Sequence, residues 1–489
     1  MSTLQPRTSK EEGTRDNIQT ATPGVATRVV VNLCRLAVGT VLVFSGFVKA
    51  IDPLGTQYKI HDYLDALELG TVIPDWLTLL ASVALAAVEF SLGVFIMLAI
   101  RRRMASRLLL VLMTFMTLIT LWTAVANPVS DCGCFGDAVH LTNTQTLLKN
   151  VVLLACTLVL VRWPQAMYRF VSKPTQWIAI NFTILFILLT SVYCLWYLPL
   201  FDFRPYRIGT NIPKGMEIPQ GAEQPQFETT FIMEKDGKRK TFTVDNYPDS
   251  TWQFIDSKTV KVKEGYVPPI HDFSIELADG DDITDQVLGH KGYTFLLISP
   301  HLETADDSNF GAIDQIYEYA QDWHIPFYCL TASAEEAIQH WEDITGAEYP
   351  FCITDETTLK TIIRSNPGLL LIKDGTIIRK WSHNNLPAPD ELQGPLDQLE
   401  IGHMPKESAA KTLAKVVLWF FLPLILLIIA DRTWAWGQYV RGKIRQGGRR
   451  LKKQERKIVS NDSSQHIIST FKKKKRNEKE NCCRKLEDE

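Results

Sequence analysis

Two cysteines two residues apart, in the run Asp131-Cys132-Gly133-Cys134-Phe135-Gly136-Asp137, are the groups in this 489-residue chain whose types and spacing point most directly to chemistry. The run is a polar loop between two apolar stretches, each long enough to cross a bilayer, which places both thiols at a membrane surface. A bridge across so short a loop is strained, and Gly133 relaxes the backbone between the two sulfurs. Strained, exposed disulfides are oxidising ones, so Cys132 and Cys134 form a candidate redox pair. Two alternatives stand beside it: an inert structural bridge, or two of four ligands to a metal with His140. A closed zinc site would need further ligands that no spacing in the chain supplies.

Two ionisable residues lie where a charge is costly. Arg35 falls about two turns inside the first apolar run and Glu89 near the middle of the second. Counting from opposite ends at ~1.5 Å per residue brings them within ~6 Å in depth, which predicts that they contact each other, as a mutual ion pair, or one shared polar ligand. Such residues pair with one another or line a site, so the pair either fixes helix packing or takes part in proton or quinone chemistry.

The elements that must position these groups follow from the apolar runs. At 46% hydrophobic residues, with 12 Trp, the chain combines membrane segments with a soluble part. Runs at 29–50, 76–100, 104–126, 147–161, 177–200 and 413–430 read as six spans. The fourth is short enough that its ends must snorkel or the membrane must thin. Residues 1–27 read as a polar, disordered cytoplasmic tail without the apolar core of a signal peptide.

Basic residues orient the spans. Arg28, the Arg101-Arg102-Arg103 cluster with Arg107, Arg162 with Arg169 and Lys173, and the C-terminal tail share one side if six helices alternate. That side is expected to be the cytoplasm. The thiol loop and the stretch from about 201 to 410 then face the periplasm, where thiols oxidise. Residues 441–489 hold 17 Lys and Arg against 7 Asp and Glu, whereas residues 1–440 hold 35 against 47. The basic tail, 432–489, reads as a topology signal and a contact for anionic lipid rather than a nucleic-acid patch, with Cys482 and Cys483 kept reduced.

Arg35-x-x-x-Gly39, Gly46-x-x-Lys49 and Glu89-x-x-x-Gly93, followed by a bundle helix and Cys-Gly-Cys-Phe-Gly, resemble the DoxX and MauE group of four-helix membrane proteins over residues 28–163. The layout as a whole, including 198–205, is similar to the fused DoxX proteins of Bacteroidetes. The resemblance implies a membrane component of thiol or sulfur redox systems, with Arg35, Lys49 and Glu89 as its intramembrane polar residues. DoxD relatives belong to a thiosulfate:quinone oxidoreductase, and MauE is linked to disulfide formation in methylamine dehydrogenase.

Beyond the fifth helix (176–200), residues 201–266 predict a β lead-in, with two strands around Asp236-Gly237. Residues 267–400 alternate strands and helices: 293–299, a helix near 307–323, 327–331, a helix opened by Ser333-x-x-Glu336 and closed by Gly346, then 351–355. The run Ser365-Asn366-Pro367-Gly368 with the apolar stretch after it resembles the thioredoxin and peroxiredoxin superfamily, which implies a cis peptide at Pro367. Where that superfamily carries Cys-x-x-Cys, this chain has Ser299-Pro300-His301-Leu302-Glu303-Thr304, so dithiol or peroxidase chemistry is not expected there. Cys329 and Cys352 are either a second thiol pair or buried small hydrophobes. His301 is either a ligand residue or a solvated loop histidine.

The expected architecture is an α-helical membrane bundle, a four-helix core plus two further spans (176–200 and 411–431), with an exported α/β thioredoxin-like domain. Two functions are open. One is a thiol-disulfide oxidoreductase in which Cys132 and Cys134 act on exported thiol proteins and pass electrons to a quinone. The other is a membrane-anchored, non-catalytic binding or assembly factor that grips its partner beside Pro367.

Overall fold

The computed structural model describes residues 24–129, 132–222, 226–235, 238–243, 253–263, 265–406 and 408–484. Asp131 and the Asp236-Gly237 turn therefore lie outside the described residues. Six described helices are long and apolar enough to cross a membrane. The chain divides into two compact units, one running to Tyr168 and resuming over Ile180–Val417, the other formed by Arg169–Ala179 and Leu418–Glu489.

Helices α1 (Val25–Ile51), α3 (Asp75–Leu98), α4 (Arg102–Ala126) and α5 (Asn143–Arg162) make the bundle of the first unit. Their packing depends on small residues where backbones meet. A Cβ on Gly46 would stand 2.4 Å from the Phe90 nitrogen, and one on Gly93 would stand 2.8 Å from the Val43 nitrogen. Helix α5 is 20 residues long and starts four residues before the apolar run 147–161. Its first turn is polar and escapes an apolar count, but a capping box secures it: Gln145 N donates to Thr142 Oγ1 at 3.2 Å and Thr142 N to Gln145 Oε1 at 3.1 Å.

The connection after α1 is itself helical. Asp52 accepts from Gly55 N at 2.9 Å and Pro53 opens α2 (Pro53–Asp65). Helix α3 starts alongside α2, where Ser82 Oγ donates to the Pro53 carbonyl at 2.7 Å and Gln57 Nε2 to Thr78 Oγ1 at 3.1 Å.

Past α6 (Gln176–Trp196) and a short turn, α7 (Ile212–Met216), a three-stranded antiparallel sheet runs in the order β2 (Lys238–Thr243), β1 (Gln226–Lys235), β3 (Gln253–Lys263). A six-stranded mixed sheet follows: β4 (Glu276–Leu277), β7 (Phe351–Ile353), β6 (Phe327–Thr331), β5 (Tyr293–Ser299), β8 (Gly368–Lys373) and β9 (Thr376–Ser382) in spatial order. β5–β6 and β6–β7 are parallel, and the remaining pairs antiparallel. Cores pack on both faces, one built on Phe295, Leu297 and Trp341, the other on Leu296, Ile298 and Leu330. That two-sided burial is why β5 reads as a continuous apolar run.

Helices α8 (Thr284–Gly289), α9 (Phe310–Asp322), α10 (Glu335–Thr345) and α11 (Glu356–Ile362) complete this domain. Ser333 does not cap α10 as its motif predicts. Its hydroxyl instead donates to Glu303 Oε2 and accepts from Leu302 N, both at 2.8 Å, because burial beside the 301–304 turn offers it those partners. Gly346 closes α10 at φ +73.

In the second unit, α12 (Ala409–Arg484) continues from Leu418. There Asp431 accepts from Ser172 N at 2.9 Å and from Thr175 Oγ1 at 2.6 Å, tying the segment before α6.

Candidate functional site

One buried cluster links the membrane helices to the thiol loop. Lys49 stands one helical turn past Ser45 on α1, and its ammonium donates to Glu89 Oε2 on α3 at 2.8 Å, to Ser45 Oγ at 2.7 Å and to the Cys134 carbonyl at 2.8 Å. The Ser45 hydroxyl lies 2.7 Å from Glu89 Oε2 and 2.8 Å from the same carbonyl. Lys49 is 4% exposed and Glu89 2%, so the pair persists only because each charge is satisfied by the other and by these hydrogen bonds. Close approach at Gly46 is what brings α3 near enough for this contact.

The loop is shaped to present sulfur. Gly133 and Gly136 take φ of +63 and +51, a backbone that side-chain-bearing residues rarely adopt. Phe135 packs on Phe44 with ring centroids 5.4 Å apart and lies under the Lys149 ammonium at 4.2 Å. Tyr63 on α2 donates to the Cys132 carbonyl at 2.9 Å. The two sulfurs stand 3.0 Å apart and both cysteines are half-buried.

The Cys134 thiol is held down to about 6, first by the hydrogen bond from Cys132. Burial opposes this, and the Lys149 and Lys49 charges reinforce it. Cys132 is pushed up, first by sharing its proton with Cys134 and then by burial. Asp137, at the far end of the loop, faces Arg364 Nη2 at 3.7 Å.

Arg364 joins the loop to the mixed-sheet domain. Its Nε donates to both oxygens of Asp52, at 3.0 and 3.1 Å, and its guanidinium lies 5.1 Å from the Tyr58 ring centroid. Burial acts against ionisation of Asp52, but Arg364 and Arg204 outweigh it and keep the carboxyl below the usual carboxylate range. Beside this contact lies a cleft of about 820 Å³, bordered by α2, Gly133, Asp137 and α11.

Arg35 and Glu89 do not meet, which corrects the predicted pair. Arg35 Nη1 donates to Asn32 Oδ1 at 3.1 Å and to the Tyr168 carbonyl at 2.8 Å, while Glu89 takes Lys49. The depth count misplaces Glu89 because α3 runs beside α2 before it reaches α1, so Glu89 arrives opposite Ser45 rather than Arg35.

Cys329 and Cys352 are on neighbouring strands but not a pair. Cys329 stands opposite Phe351 and Cys352 opposite Leu330, so the two side chains enter the cores on opposite faces of the sheet. Both are buried small hydrophobes, and burial pushes both thiols up. The Asn366–Pro367 peptide is cis. Asn366 Nδ2 donates to the His301 carbonyl at 2.7 Å, and His301 Nε2 lies 3.0 Å from Glu356 Oε1, which makes His301 a bonded residue of the domain's own loop. Among the described residues no set of three or more His, Cys, Asp or Glu converges to hold a metal ion.

Ser45, Tyr63, Asp52 and Arg364 escape a sequence reading. Only Ser45 leaves a signal, its spacing of four from Lys49 on one helix face.

Helix bundle, thiol loop and mixed sheet together define a multi-pass membrane protein with an appended α/β domain. Residues 27–163 match the family of Methylamine utilisation protein MauE, so this bundle is a MauE-family membrane domain. Residues 227–264 match a domain of unknown function, DUF8463. No curated protein matches the chain.

Proposed function

We propose that this chain is a membrane thiol-disulfide redox protein in which Cys132 and Cys134 exchange disulfides with exported thiol proteins. The observation that carries the reading is the 3.0 Å approach of the two sulfurs on a loop whose Cys134 carbonyl is held by Lys49. A partner thiolate attacks Cys132 of the oxidised pair, the S–S bond breaks, and Cys134 leaves as the thiolate. A second partner thiolate then displaces Cys132, so the partner gains a disulfide and the pair gains two electrons and two protons. A low thiol pKa at Cys134 makes it the better leaving group and stabilises the reduced form, which is the property of an oxidising pair.

Regeneration needs an acceptor of two electrons and two protons, for which a lipid-soluble quinone is the candidate. The Lys49 cluster does not fit a quinone carbonyl as it stands, since all three ammonium donors are engaged.

The appended domain is read as thioredoxin-like, on the strength of its strand order and the cis Pro367, and as non-catalytic at His301. Its contact through Arg364 favours a second role, holding a partner beside the thiol loop. The basic turn Arg101–Arg103 lies at the opposite end of the bundle from α2 and the thiol loop. That supports an inner-membrane topology with the loop and the domain in the periplasm and both termini in the cytoplasm.

The deciding experiment is alkylation of Cys132 and Cys134 in native membranes with and without respiratory quinone. The expected result is a disulfide that becomes dithiol when quinone is depleted. Thiols that stay in one state throughout would leave only the binding role.

A further inference from the structure

A second cleft, of about 740 Å³, lies between the segment that leaves α6 and the mixed-sheet domain. Its lining includes Arg204, Arg207, Lys214 and His140, with Asn211 and Thr376 as further polar groups, and among the described residues no carboxylate lines it. Arg207 and Lys214 are exposed, whereas Arg204 is 3% exposed.

Arg204 is the unusual member. Its backbone N–H and its Nε both go to Asp202 Oδ1, at 3.1 and 2.8 Å, and its Nη1 is buried without a hydrogen-bond partner among the described residues. Asp202 is already shared, since Lys380 Nζ reaches its other oxygen at 3.0 Å. One carboxylate thus serves two buried cations, and the nearby Asp52 is committed to Arg364. A buried guanidinium nitrogen without an acceptor is costly, and the fork of an arginine matches the oxygens of a phosphate group.

We propose that this cleft binds a phosphate-type anion, with the Arg204 fork as its inner anchor and Arg207 and Lys214 closing over it. The chemistry is shared by two sources, inorganic phosphate and the headgroup of an anionic phospholipid. The position of the cleft just beyond a membrane-spanning helix puts both within reach.

The test uses the full chain in zwitterionic detergent, with inorganic phosphate followed by calorimetry and phosphatidylglycerol by native mass spectrometry against phosphatidylcholine. Two variants accompany the parent: the exposed double variant Arg207→Gln with Lys214→Gln, and Arg204→Lys, which keeps the charge but loses the fork. Saturable phosphate binding that weakens about tenfold in the double variant identifies a free-phosphate site. Selective retention of phosphatidylglycerol without phosphate binding, lost by the same amount, identifies a headgroup site. Should Arg204→Lys fail to fold, the double variant still decides. The proposal is overturned if neither probe binds selectively, or if parent and double variant bind alike.

Discussion

Lys49 and Glu89 meet at 2.8 Å between α1 and α3, and the same ammonium reaches the Cys134 carbonyl at 2.8 Å, so a buried ion pair and the thiol loop share one donor. Removing either charge strands the other in apolar surroundings. Lys49→Met or Glu89→Gln is expected to cost about 3–5 kcal/mol, while the double replacement by Met and Leu should recover much of that loss. Thermal unfolding of the four proteins in detergent measures this, and single variants as stable as the parent would refute it.

The thiols should behave unequally. With Cys134 held down to about 6 and Cys132 pushed up, alkylation of the reduced chain is expected to start at Cys134 and to rise through about pH 6. The sign for stability follows from the depressed value. The thiolate's contribution to the reduced native state is complete above the ordinary thiol range and is lost as pH falls through about 6. Peptide mapping of alkylated protein across pH gives the site and the midpoint together.

Single serine variants separate the roles of the two sulfurs. The proposed exchange has Cys132 as the attacked sulfur, so Cys134→Ser should accumulate mixed disulfides with exported proteins, and Cys132→Ser should accumulate few. Non-reducing gels of the tagged chain read this. Equal trapping by both variants would show that the order of attack is not as argued, and a double variant that still oxidises partners would make the loop structural.

Acid should loosen the contact between the thiol loop and the mixed-sheet domain. Asp202 is held down to about 2: burial opposes ionisation, but Lys380 and Arg204 outweigh it. Asp52 is likewise held below its ordinary range. Stability from both is present above the ordinary carboxylate range and is lost as pH falls toward 2. Arg364→Gln is expected to flatten the Asp52 part of that loss, checked by unfolding the full chain over this pH range.

Gly46 should tolerate no side chain. A Cβ there meets the Phe90 nitrogen at 2.4 Å and the Ala86 carbonyl oxygen at 2.8 Å, both backbone atoms that cannot rotate away. Gly46→Ala is expected to cost about 1–3 kcal/mol by forcing α1 and α3 apart, and to reduce Cys134 reactivity by displacing Lys49. Unchanged melting and alkylation would argue against the tight crossing.

What the amino-acid sequence determined by itself is what local pattern encodes. Apolar runs marked six spanning helices, although the polar first turn of α5 hid behind its capping box. Continuous burial made β5 and β6 legible to the residue, because a strand buried on both faces is apolar along most of its length. The Cys-Gly-Cys loop and the costly intramembrane charges stood out by type alone.

Pairing was decided only by the tertiary structure. Glu89 takes Lys49 and not Arg35 because α3 first runs along α2, an offset that no count along the chain contains. Cys329 and Cys352 look like partners on neighbouring strands until the register puts them on opposite faces. Arg364 reaches Asp52 across 312 positions of sequence, and a contact that distant has no periodic or local signature; it exists because folding brings α11 down onto the end of α1.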